Sequence, residues 1–336
     1  MSHGRRRLER PSRRRRTLIG AIIALGSLLG VALVLSIVSS LFVGNLVSAY
    51  DSRSTKVHHA IPTTNRPAPL DSTAMNILLI GSDSRARLSP DGDHPAGSRA
   101  DALMLVHLDA DRKAVFVMSI MRDSWVDIPG YGMAKINAAY SLGGIPLTVQ
   151  TVERLVDVPI DHVAEIDFQG FRDMTNALGG VTVDSTYGFD ARGHRIVPGA
   201  NELDGDAALA FVRERYAFPD ADHQRVRNQQ AFIRGLVAGV ISRGTLTNPG
   251  RIADFVTATS SSLTIDSGLT FRTLADIGWS LRHLTADDLT TFTMPVAGGG
   301  TSADGQSYVS VDEGAQDSLR AALRSDGLGA WLAARS

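Results

Sequence analysis

The chain contains no cysteine, which removes disulfides, thiol nucleophiles and thiolate metal centres together. Lysine is nearly missing as well: Lys56, Lys113 and Lys135 are the whole complement. Positive charge here therefore means arginine, a bias that reads as genomic. There is no G-x-x-x-x-G-K-[ST] loop to cradle a nucleotide and no serine elbow for acyl chemistry. Nine histidines are scattered, without a pair at metal-ligand spacing beside an acid. His107, inside an apolar run, reads as a packed residue rather than a base. Charge itself is absent from Thr17 to Tyr50, and Leu18–Val43 is almost wholly apolar.

At about 1.5 Å of rise per residue, that run spans a hydrocarbon core of roughly 30 Å. Residues 1–16 before it carry eight arginines and one acid, Glu9. Arginine on one flank alone predicts a cytoplasmic N-terminus and an exported body. A cleaved signal peptide ending at Val47-Ser48-Ala49 is the alternative, but it calls for an apolar core of only about 7–15 residues. The net charge of −1 divides into +7 on the head and −8 on the remainder. An acidic body argues against nucleic acid as a partner.

The expected organisation is a basic cytoplasmic head (1–16), a transmembrane helix (17–47), a linker (48–73) and one extracytoplasmic domain (74–336). Residues 51–72 mix prolines and polar residues without periodicity, which is linker composition. NILLIG (76–81), ALMLVHLD (102–109) and AVFVMSI (114–120) are short apolar runs between turn residues, expected as strands covered on both faces. Helices are expected at Pro146–Val156, at Phe168–Leu178 with Asp167 as N-cap, and at Asp204–Arg215, Arg225–Ile241 and Phe271–Arg282. Strands alternating with helices indicate an α/β domain of α-β-α layers. No internal repeat or second boundary is visible.

Four clusters carry chemistry. Asp83 lies in the turn Gly81-Ser82-Asp83-Ser84-Arg85 after the first strand, and Asp101 in Arg99-Ala100-Asp101 before the second. Singly these are a turn residue and a strand-entry cap. Together, at neighbouring strand ends, they suit a hard cation with oxygen ligands. Arg122-Asp123 closes the third strand, where sites in open α/β sheets gather; the plain alternative is a surface ion pair. Arg213 and Arg215 lie two apart, and Arg225 and Gln229 share a helical face at i, i+4. Guanidinium forks in an acidic domain suit phosphate oxygens. Two acids, several arginines and no covalent nucleophile point to phosphoryl or pyrophosphoryl transfer, where positioning and charge neutralisation dominate.

At these residues the sequence resembles the LytR-CpsA-Psr family of cell-envelope glycopolymer transferases. The matching segments are NILLIGSDSR (76–85), RADALMLVHLD (99–109), VFVMSIMRDSWVDIPGYG (115–132), KINAAYSLGG (135–144), the stretch 151–184, LDGDAALAFVRER (203–215) and RVRNQQAF (225–232). The resemblance implies an α-β-α domain with a central mixed sheet and a hydrophobic pocket for a polyprenyl tail. It implies Mg²⁺, with Mn²⁺ as the alternative, on Asp83 and Asp101. It implies pyrophosphate contacts from Arg85, Arg99, Arg122, Arg213, Arg215, Arg225 and Gln229, and a catalytic part for Arg122 and Asp123. Met121 stands where the family usually has proline, Asn228 where many members have arginine, and 86–98 is an insertion between the two acidic motifs. Residues 242–336 match no motif and are expected to complete the same domain.

The implied activity is transfer of a glycopolymer of teichoic acid, capsule or arabinogalactan type from polyprenyl pyrophosphate to peptidoglycan. The acceptor would be the muramic C6 hydroxyl, and polyprenyl phosphate would be released. Its place would be the outer face of the cell membrane, on a single span. Hydrolysis of the lipid pyrophosphate and membrane-bound transcriptional attenuation are the alternatives.

Overall fold

The computed structural model describes residues 41–83, 99–241 and 248–335. It divides into two units, Met1–Ser48 and Ala49–Ser336. In the first, residues 41–48 are helical. Most of the expected membrane span lies outside the described residues, and among those described no helix is long and apolar enough to cross a membrane.

The second unit opens with five strands and a hairpin partner: β1 (Thr55–Val57), β2 (Met75–Ser82), β3 (Ala100–Leu108), β4 (Val115–Ile120), β5 (Ser124–Ile128) and β6 (Gly132–Lys135). Helix α1 (Asn137–Val156), β7 (His162–Asp167) and α2 (Phe168–Ala177) follow. Four short strands, β8 (Val181–Ser185), β9 (Phe189–Ala191), β10 (His194–Ile196) and β11 (Gly199–Leu203), lead to α3 (Gly205–Arg213), α4 (Ala221–Ile241) and α5 (Pro249–Ser260). The chain ends with β12 (Leu263–Asp266), α6 (Phe271–Ser280), β13 (Leu289–Thr293), β14 (Val296–Thr301), β15 (Ser307–Val311), α7 (Glu313–Arg324) and α8 (Leu328–Ala333).

The main sheet is mixed, in the order β1-β12-β7-β2-β3-β4-β13. Its apolar runs are continuous because both faces are covered. Along β2, Leu78 and Ile80 enter a core with Ile145 and Val149 of α1. Leu79 faces the other way, in a cluster with Met104, Val117 and, from α4, Ile233 and Val237. Asp167 caps α2, its Oδ1 accepting from Gly170 N at 2.7 Å. Helix α3 stops at Arg213, earlier than expected, because Glu214 turns extended (φ −66°, ψ 132°). Helix α1 is broken at Gly143-Gly144, where Gly144 takes φ 64°, and Pro146 opens its second segment.

One expectation changes. Residues 51–72, read as linker, are built into the domain: β1 pairs in parallel with β12, and Val57 and Ala60 are buried in the core. Arg66 Nε donates to Glu153 Oε1 at 2.9 Å and its Nη2 to Ile160 O at 2.6 Å. Three such anchors hold a segment whose composition carries no periodicity. The described residues after 241 belong to the same unit: β12 and β13 enter the main sheet, β14 and β15 join β5 and β6 in a second, four-stranded sheet, and α7 and α8 pack Leu319, Leu323 and Leu328 into the core.

Candidate active site

Asp83 and Asp101 stand at the same end of the β2–β3 pair, where the ladder has a flaw. Gly81 pairs with Ala102 and Ser82 with Ala100, so Asp101 is the extra residue of a bulge. A bulge re-aims a side chain at a strand end. Asp83 Oδ1 accepts from Arg99 N at 2.8 Å, and Asp101 Oδ1 accepts from Arg122 Nη1 at 2.8 Å. Among the described residues, these bonds engage one oxygen of each carboxylate. Among the described residues no three His, Cys, Asp or Glu side chains group as a metal cage. Two carboxylates, with water and phosphate completing the shell, fit the habits of Mg²⁺ rather than those of a structural metal.

Arg122 links the acids to the next layer. Its Nε stands 3.5 Å from Asp123 Oδ2, and Lys135 Nζ approaches Asp123 Oδ1 at 3.4 Å. The Asp123 and Asp222 carboxyls hydrogen-bond to each other. Burial raises Asp222, although Arg225 opposes it, and proton sharing with Asp123 adds to the rise. Burial would raise Asp123 too, but Asp222, Arg122 and Lys135 together hold it below the usual carboxylate range. The two titrate as a pair.

Arg225 is 7% exposed, and its Nη1 lies 3.2 Å from Asp222 Oδ1. Burial, together with the nearby Arg122 and Arg215, lowers its guanidinium from the ordinary value despite Asp222. Both Arg122 Nε and Arg225 Nε are buried without a hydrogen-bond partner among the described residues. Arg122 Nε has only the longer contact with Asp123, and neither Nε makes a hydrogen bond among the described residues, so both guanidiniums keep donor capacity for an anion.

Beside them opens a cavity of about 220 Å³ between the sheet and α2–α4. Its walls are apolar, including Met104, Ile166, Phe171, Phe232 and Leu236, while Asp101, Arg213 and Gln229 give it a polar edge. Arg213 lies over the Phe168 ring at 4.1 Å, and Gln229 Nε2 reaches Val212 O at 3.4 Å. Arg215 Nη2 donates to Tyr216 OH at 2.5 Å, which raises its guanidinium.

The structure thus brings Asp101, Arg122, Asp123, Arg215 and Arg225 within mutual electrostatic reach, with Asp83 across the bulge from Asp101 and Arg213 and Gln229 on the cavity. Arg99 is exposed. Arg85 and the whole insertion 86–98 lie outside the described residues. Asn228 Nδ2 donates to Phe211 O at 3.1 Å, tying α4 to α3 where many relatives have arginine. His107 is packed between Asn76 Oδ1 (2.8 Å) and Asp326 Oδ1 (3.1 Å).

Sequence reasoning passed over Asp222, Lys135 and Glu165. Asp222 stands at i, i+3 from Arg225 on one helix, a spacing that could have identified it. Glu165, 3% exposed, accepts from Ser82 Oγ and Tyr140 OH, both at 2.5 Å, which braces the strand end that presents Asp83. Burial raises its carboxyl, against both hydrogen bonds.

A family model described as LytR_cpsA_psr matches residues 42–325. A Bacillus cereus protein named polyisoprenyl-teichoic acid–peptidoglycan teichoic acid transferase TagU is 34% identical over 232 residues, covering 65% of this chain and 74% of its own. The probable cell wall biosynthesis protein LcpB of Corynebacterium glutamicum is 33% identical over 293 residues, 83% of this chain and 65% of its own. Among solved structures, TagV of B. subtilis superposes with a TM-score of 0.65 at 26% identity, over 77% of this chain and 98% of that one.

Proposed function

The chain belongs to the LytR-CpsA-Psr family, and from that premise we propose that it is a phosphotransferase moving a glycopolymer from a polyprenyl pyrophosphate carrier to peptidoglycan. One observation carries the reading: two buried guanidinium Nε atoms without a hydrogen bond among the described residues stand near the polar edge of an apolar cavity. A diphosphate with a lipid tail matches both parts. TagU of B. cereus, by its name, uses a polyisoprenyl-linked teichoic acid and peptidoglycan.

In the proposed reaction an acceptor hydroxyl attacks the sugar-side phosphorus. A new P–O bond forms, the anhydride P–O bond breaks, and polyprenyl phosphate leaves. Arg122 and Arg225 hold the phosphate oxygens and stabilise charge developing on them. Arg213 and Gln229 orient the diphosphate at the cavity edge. Asp123, ionised beside Asp222, takes the hydroxyl proton, and Lys135 keeps it aimed. Mg²⁺ on Asp83 and Asp101 would supply charge neutralisation to the diphosphate. Residues 17–47 would tether this site to the outer face of the membrane that holds the donor.

The test is to incubate the full-length chain in detergent with a polyprenyl-pyrophosphate-linked glycan and peptidoglycan. Phosphodiester-linked glycan on the wall and free polyprenyl phosphate are expected. Polyprenyl products without wall-linked glycan would replace this reading with lipid pyrophosphate hydrolysis.

A further inference from the structure

On the exposed side of the four-stranded sheet, β5 carries a row that begins at the reacting centre. Trp125 and Asp127 alternate onto one face of β5, and Asp123 stands in the turn just before it. The ladder reaches back to Asp123, whose carbonyl accepts from Val309 N at 2.9 Å. Across the β5–β6 pair, Lys135 stands opposite Trp125 and Met133 opposite Asp127, and the Lys135–Asp123 contact confirms that Asp123 points to this face.

Trp125 stacks on Tyr308 with ring centroids 4.6 Å apart and planes 25° apart. Neither ring belongs to an apolar core cluster of the described residues. Tyr308 rests against bare backbone, since a Cβ on Gly300 would come within 2.5 Å of its ring. Trp125, the member of the pair on β5, also lines a cleft of about 330 Å³ bordered by Asp127, Glu313, Arg154 and Arg320. Arg154 Nη2 pairs with Asp127 Oδ2 at 2.7 Å. Three acids, Asp127, Glu313 and Asp317, face two arginines, Arg154 and Arg320, so the cleft favours a neutral polyol over an anion, and its charged rim disfavours a lipid or an apolar protein face. Aromatic rings flanked by carboxylate–arginine pairs are suited to pyranose rings, whose C–H faces stack while their hydroxyls bond to the rim.

We infer that the Trp125–Tyr308 platform and its cleft bind the acceptor glycan strand, delivering a sugar hydroxyl to Asp123. The inference rests on the transfer reaction proposed above. Its direction follows from Arg122, which has Asp101 and the cavity on one side and Asp123 on the other. Attacking and leaving oxygens lie roughly in line, so an acceptor enters from the side away from the lipid. At about 3.3 Å per residue, Trp125 lies about 7 Å along the strand from Asp123, roughly one sugar ring.

Titration calorimetry of the full-length chain with the β-1,4-linked tetramer of N-acetylglucosamine tests this. Saturable binding is expected, weakened about tenfold or more by Trp125→Ala and by Tyr308→Ala, and the acceptor KM should rise in the same variants. Trp279→Ala, at a side chain 70% exposed on α6, is the control. Wild-type affinity in both platform variants, with unchanged Tm, overturns the inference, as does a wild-type chain that binds no tetramer. Platform-dependent binding without any transfer supports the glycan site and counts only against the proposed reaction.

Discussion

Arg122→Ala tests the arrangement most directly. Arg122 is one of the two guanidiniums with an unsatisfied buried Nε, and it joins Asp101 to Asp123. Removing a preorganised group that meets charge in the transition state costs about 2.7–4 kcal/mol, or roughly 10²–10³ in kcat. The stability cost should be far smaller. The side chains of Arg122, Asp101 and Asp123 are 17%, 23% and 18% exposed, Lys135 still reaches Asp123, and such half-wet pairs contribute about 1 kcal/mol or less. In a domain this large that lowers Tm by about 2–4 °C. Arg122→Lys keeps the charge and loses the fork, so it should recover only part of the rate. The assay is single-turnover transfer of labelled glycan to peptidoglycan, with Tm measured on the same samples. An alanine variant within tenfold of wild type, or one whose lost activity simply tracks unfolding, would refute the assignment.

Asp222→Asn should lower kcat about 10²-fold or more, as expected for a disrupted proton-transfer pair. It should also change the pH dependence of stability. Because the Asp222 carboxyl is raised in the fold, the folded chain holds that proton more tightly than the unfolded chain. Its stabilisation is complete below the unfolded carboxylate range near pH 3.9 and lost as pH climbs through the raised value. Asp123, lowered, acts oppositely: its contribution is present above that range and is lost as pH falls through its lowered value. Asp222→Asn should therefore flatten the loss of Tm toward neutral pH, as a Tm–pH series would show. Glu165→Leu removes the acceptor shared by Ser82 Oγ and Tyr140 OH, and should cost about 2 kcal/mol by urea denaturation, with Glu165→Gln far milder. Arg66→Ala leaves Glu153, at 1% exposure, without its partner, and should cost about 3 kcal/mol. A loss under 1 kcal/mol there would mean that residues 51–72 are not part of the cooperative fold.

The strands were legible where burial on both faces produces unbroken apolar runs, as at NILLIG and AVFVMSI. The helices were legible where an N-cap announces them, as at Asp167 and Asp204. Order in the sheet was not legible, since nothing local in Leu263–Asp266 indicates insertion between β1 and β7. Residues 51–72 misled for a related reason. Their anchors are single residues, Val57, Ala60 and Arg66, whose partners lie about 90 to 200 positions away, and composition averages them out.

The site shows the same division in a more instructive form. Arginines and acids near strand ends could be recognised one by one, because residue type and position suffice to nominate a ligand for phosphate or a cation. What the sequence could not supply was direction. Asp101 faces the cavity only because a bulge adds one residue to β3, and Asp123 faces the second sheet only because β15, nearly two hundred residues later, extends its ladder to that carbonyl. Arg122 lies where these two accidents of register meet, with the diphosphate side defined by one and the acceptor side by the other. An in-line displacement needs that opposition. In the proposed reaction a residue pair adjacent in sequence, Arg122-Asp123, can therefore serve both ends because both stand in the tight turn between β4 and β5, where the chain passes from one sheet to the other.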